Sequence, residues 1–190
     1  MAAVTKNLLF GVTASTTYDQ RYALARRFST VDHLSGDRVA WNIMTSYLDS
    51  AARNFGLDTQ VEHDERYRIA DENLDVVYNL WEGSWRDDAV VKDKESGQYA
   101  DPERIRQIHH KGKYITVPGA HICEPSPQRT PYLFQAGTVF GAKHAEAIFV
   151  SAQLPELVSS ASREHRLFYS DAAGGGYCIQ AIKRAARDDQ

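Results

Sequence analysis

The hydrophobic and polar positions alternate between two periods along the first 155 residues. Residues 8–13 (LLFGVT) are a short apolar run and predict a buried strand that opens the chain. Leu24, Phe28 and Val31 then recur at helical spacing, which predicts a helix over 21–34, with Gly36 where a helix stop is expected. Residues 39–45 (VAWNIMT) are apolar on both faces, as in a parallel-sheet strand covered on both sides. Leu48, Ala51, Ala52 and Phe55 predict a further helical segment closed by Gly56. Tyr67, Ala70, Leu74, Val77 and Trp81 make one continuous stripe, so the strongest helix runs over 64–81. Asp64 and Glu65 fall in its first turn, where negative charge suits the helix dipole.

Residues 83–130 break this rhythm. They are rich in turn formers, with strand character only at Lys113–Val117, and predict one long insertion. Two buried strands follow at Tyr132–Ala136 and Ala147–Ala152. The residues from 159 onward change character, with a Gly174–Gly176 triplet and a short basic helical pattern at the end. Strands alternating with helices argue for a parallel α/β sheet with about four central strands. A closed eight-stranded barrel typically needs about 250 residues. The pattern therefore leaves a small open sheet or part of a barrel.

Composition changes this picture little. The 190 residues are 43% hydrophobic and 25% charged, with a formal net charge of -3. No basic face is implied, so nucleic acid is not an expected partner. Mean hydropathy is -0.48. No apolar run approaches the roughly 20 residues of a membrane helix, and the start is not a secretory signal, so a cytoplasmic location is expected. Cys123 and Cys178 are far apart and form no metal or redox motif. His109, His110 and His121 lack supporting carboxylates or cysteines at ligand spacing, and no metal is expected.

The chemistry-bearing positions sit at strand ends, where parallel α/β folds bind ligands. Thr13–Thr17, Asn42–Ser46 and Gln135–Thr138 are polar, small and hydroxyl-rich. They suit a large polar cofactor, although strand ends are also commonly polar caps for the next helix. His63 and Tyr67 are spaced i, i+4 near a helix N-terminus, where a phosphate is favoured. A surface histidine and a core tyrosine fit the same spacing.

Three longer stretches carry a resemblance. They are RRFSTVDHLSGDRVAWNIMTSYLDSAARNFG, EHDERYRIADENLDVVYNLWEGSWRDDAVVKDKESGQYADPERI and PSPQRTPYLFQAG. Over roughly residues 2–155 the chain resembles the bacterial-luciferase-like, two-component FMN-dependent monooxygenases of the nitrilotriacetate, dibenzothiophene-sulfone and dimethyl-sulfide group. The resemblance implies a partial TIM (β/α)8 barrel over 1–158, with a divergent tail over 159–190. It implies reduced FMN and O2 as co-substrates, a small organic substrate, and a separate NAD(P)H-dependent flavin reductase. It places Thr13, Ser46, His63, Tyr67 and Gly137 at the cofactor, with Asn42 pointing into the pocket. The chemistry then belongs mainly to the flavin, and no side chain is singled out as an acid or base.

Against the family pattern, Met1 falls just before the third barrel strand, and the loop after QAG is short. Val139 stands where a phosphate-binding serine is expected, and only residues 138–146 separate two strands, so the local helix should be clipped. An unclosed sheet exposes its edges and is expected to need a partner or a second copy. Two other readings remain open: a catalytically inactive truncated paralogue or mis-assembled gene product, and a non-enzymatic α/β interaction module.

Overall fold

The computed structural model describes residues 1–136, 139–150, 166–170 and 177–181. The glycine triplet and the terminal basic pattern lie outside the described residues. Six strands form the main sheet. In chain order they are β1 (Phe10–Ser15), β2 (Val39–Met44), β5 (Tyr132–Ala136), β6 (Ala147–Val150), β7 (Arg166–Ser170) and β8 (Tyr177–Ala181), and they lie in the order β1-β2-β5-β6-β8-β7. The first four are mutually parallel, as expected from the βα alternation. β8 pairs antiparallel with β6, and β7 antiparallel with β8. The sheet thus continues past the four expected strands into residues 166–181.

Three helices accompany the first strands, α1 (Arg21–Ser35), α2 (Asp49–Asn54) and α3 (His63–Tyr78), and α1 packs on β2 and on α3. Gly36 ends α1 in the left-handed region, φ 62°, and its N–H reaches the Asp32 carbonyl at 2.9 Å. α3 is shorter than its apolar stripe, because Asn79–Gly83 winds on as a π-helical turn. The stripe itself is the core. Ala70, Leu74, Val77 and Trp81 are buried, and Trp81 meets Trp41 of β2 edge-on at 6.1 Å.

Burial along the strands differs from the expectation. Leu8 and Leu9 are exposed and β1 starts two residues later; among the described residues β1 is an edge strand. Val31 of α1 is also exposed, where it lines an open groove with Val12, Phe28 and Val39. β2 is not covered equally on both sides. Val39, Trp41 and Ile43 are buried against the helices, while Ala40, Asn42 and Met44 are only half-buried on the other face. Of the short helix α2 only Ala52 is buried, although Phe55 just beyond it stacks on Tyr18 at 4.5 Å.

The insertion is anchored rather than loose. It carries the hairpin β3 (His110–Lys111) and β4 (Thr116–Val117). Buried Asp32 accepts from the Gln128 backbone N–H at 2.9 Å and from Gln128 Nε2 at 2.6 Å. Glu72 of α3 accepts from the backbone N–H groups of Tyr114 and Ile115. His110 lies 3.3 Å from the same Glu72, while His121 lies 2.9 Å from Ser29.

Candidate functional site

Parallel register decides which side chains share the open face. Thr13 pairs with Asn42, and Asn42 with Phe134. Asn42 Nδ2 donates to Thr13 Oγ1 at 3.1 Å, while Asn42 Oδ1 is buried and has no partner among the described residues. Gly11, two residues before Thr13, leaves room for the Phe134 ring; a Cβ there would stand 2.6 Å from Phe134 Cζ. Past the end of β2, Ser46 takes a left-handed backbone, φ 58°, and its hydroxyl lies 2.9 Å from that of Ser15. The loops after β1 and β2 are tied together, since Thr16 and Thr17 hydroxyls donate to the Met44 and Thr45 carbonyls.

A second group lies at the start of α3. His63 and Tyr67 rings are 5.0 Å apart. They line a cleft of about 460 Å³ with Asp64, Arg68, Asp71, Val139, Phe140 and Lys143. The far wall is α4 (Val139–His144), a clipped six-residue helix, as the short crossover predicts. Phe140 packs edge-on against Tyr67 at 5.7 Å and against His144 at 4.7 Å. Asp71 holds this wall: Lys143 Nζ donates to it at 2.7 Å, and His144 Nε2 lies 2.8 Å from the same oxygen. Burial pushes the Asp71 carboxyl up, but these two bonds outweigh it and leave it below the usual carboxylate range. Burial pulls the His144 imidazole down, only partly opposed by Asp71. Asp64 is held low chiefly by its hydrogen bond with His63.

The structure therefore brings Thr13 to Asn42 and His63 to Tyr67. Thr13, Asn42 and Ser46 do not line the His63 cleft, and Gly137 lies outside the described residues. Val139 is 90% exposed at the mouth of the cleft. Lys143, Asp71 and Arg68 were not anticipated from sequence. The available signal was the basic pair Lys143–His144 soon after a strand end.

The luciferase-like monooxygenase family profile matches residues 1–165 of this sequence. The chain belongs to that family. Among luciferase-like monooxygenases it is 58% identical, over 155 residues, to a dimethyl-sulfide monooxygenase of Hyphomicrobium sulfonivorans, covering 79% of this chain and 32% of that protein. The crystal structure of a long-chain alkane monooxygenase matches with a TM-score of 0.79 and 55% identity, over 82% of this chain and 37% of the other. A riboflavin lyase crystallised with modified FMN and riboflavin matches with a TM-score of 0.77 and 41% identity, over 83% of this chain and 36% of the other. The fold is therefore part of a luciferase-like TIM barrel, and the chain spans about a third of the length of these relatives. Among the described residues no helix is long and apolar enough to cross a membrane.

Proposed function

We propose that this luciferase-like monooxygenase chain forms one wall of a reduced-FMN site, in an enzyme that oxygenates a small organic substrate with O2. The observation that carries the reading is the open face around Asn42. The Asn42 amide and the Thr13 hydroxyl, 3.1 Å apart, stand together on it, chemistry that a planar heterocycle with ring N–H groups and carbonyls can meet. The Thr13 and Ser46 hydroxyls lie on the same side of the sheet or just beyond its end, at the carboxyl ends where parallel sheets bind ligands.

The His63 cleft suits the phosphate end of the same cofactor. His63 Nε2 and the Tyr67 hydroxyl have no hydrogen-bond partner among the described residues, so both are available to a phosphate oxygen. When bound, the reduced flavin would supply the electrons that activate oxygen. The chain's part is to bind and orient it. A separate NAD(P)H-dependent reductase delivers the reduced flavin in this reading. The residues named for the cofactor are Thr13, Asn42, Ser46, His63, Tyr67 and Gly137.

A catalytically inactive paralogue is the second reading, and Val139 favours it. A valine, 90% exposed, stands where the family pattern expects a phosphate-binding hydroxyl. Titration of FMN fluorescence separates the two. The reading predicts saturable quenching by the chain, weakened roughly tenfold or more in Tyr67→Phe and His63→Ala, since a hydrogen bond to a charged group is worth about 1.5–3 kcal/mol. Absence of quenching by the unsubstituted chain would leave the inactive reading standing.

A further inference from the structure

We propose that Lys143 is the phosphate-binding cation of this chain, held on Asp71 until a phosphate-bearing flavin displaces it. The inference rests on the reading that His63 and Tyr67 face the flavin phosphate.

A dianion in this cleft needs positive charge, and the usual backbone sources are closed. α4 has six residues and is too short to offer a helix N-terminus. At the N-terminus of α3 the Glu62 carboxylate takes the Glu65 N–H at 3.0 Å, and Asp64 and Glu65 in the first turn add negative charge that opposes a dianion there. Val139 offers no hydroxyl. The charge must come from side chains, and the cleft holds two fixed cations, Arg68 and Lys143.

Arg68 pairs within its own helix with Glu65, three residues earlier, whose carboxylate also takes the Tyr114 hydroxyl and Lys113 and is thereby held down to about 2, whereas Lys143 stands on the opposite wall, α4. Among the described residues Lys143 has a single partner, Asp71, in an ion pair whose side chains are 60% and 42% exposed. Exposed pairs of this kind contribute little, so Lys143 exchanges partners readily. Asp71 is not orphaned by the exchange, because His144, whose side chain is only 7% exposed, stays 2.8 Å from it. The long flexible stem of lysine lets the ammonium turn toward the phosphate while α4 keeps its place through Phe140 and His144.

Two substitutions on the same ion pair then act in opposite directions. Lys143→Met removes the cation and lowers FMN affinity about tenfold. Asp71→Asn removes the competing carboxylate and raises FMN affinity severalfold. A merely structural ion pair would give loss in both. Riboflavin, which has the ring and ribityl chain without the phosphate, should bind all three proteins alike. The experiment is a fluorescence titration of the unsubstituted chain, Lys143→Met and Asp71→Asn with FMN and with riboflavin, at low and high salt. The expected result is an FMN preference over riboflavin that falls in Lys143→Met, grows in Asp71→Asn and shrinks with salt. FMN preference unchanged in Lys143→Met, or lowered in Asp71→Asn, overturns the assignment while leaving the flavin reading intact. Failure of the unsubstituted chain to bind either flavin removes the flavin reading, and this inference with it.

Discussion

His121 shows how a single buried residue ties the insertion to the scaffold. It is 3% exposed, its Nε2 lies 2.9 Å from Ser29 on α1, and Trp85 Nε1 donates to its carbonyl at 2.7 Å. Burial pulls its imidazole down to about 4, against an ordinary 6.5. The unfolded chain therefore takes up a proton as pH falls through 6.5, while the folded chain resists until about 4. Stability is complete above pH 6.5 and should fall by about 3 kcal/mol as pH drops from 6.5 to 4. Urea unfolding at pH 7, 5.5 and 4.5 reads this directly. In His121→Gln the part of the slope due to this residue should vanish, and an undiminished slope would assign it to other groups. Gly11 is a second residue-scale determinant. Gly11→Ala places a methyl 2.6 Å from Phe134 Cζ, and a shifted ring costs about 1–3 kcal/mol, visible as a lower urea midpoint.

At the scale of elements, α1, β2, α3 and β5 were readable because their apolar residues keep one period through the whole segment. β5 occupies Tyr132–Ala136 as expected, and α1 runs one residue further than its pattern. The insertion was readable only as an interruption. What makes it ordered is a set of side chain to backbone bonds that no periodicity encodes. Among them, Gln128 bridges Asp32 and the Val39 carbonyl. Asp32→Ala should therefore cost about 1.5–3 kcal/mol and raise hydrogen exchange of the Gln128 amide, measurable by native-state exchange. An unchanged Gln128 amide would contradict that anchoring. β7 and β8 escaped prediction because RLFYS and YCIQA are short and flank a glycine triplet that reads as a linker.

For the whole molecule, the candidate site was legible in part. Thr13 with Asn42 and His63 with Tyr67 are neighbours in the structure as in the sequence argument. Their chemical setting was not legible, because it depends on contacts between α3 and α4 that are about 70 residues apart in sequence. The open face of the sheet explains why residues expected to be buried are half-exposed. It also makes stability sensitive to a ligand. A ligand bound only by the folded state stabilises it by about 2.7 kcal/mol at a hundredfold excess over Kd. Thermal unfolding should accordingly rise by several degrees with saturating FMN, and less in Tyr67→Phe.

Thr13, Asn42, Ser46, His63 and Tyr67 are proposed as a wall of a reduced-flavin site. Anaerobic titration of the chain with reduced FMN, followed by the flavin absorbance, tests it most directly. A saturable spectral change at one flavin per chain is expected, with weaker binding in Tyr67→Phe and His63→Ala. A spectrum indistinguishable from free reduced FMN at every protein concentration would contradict it.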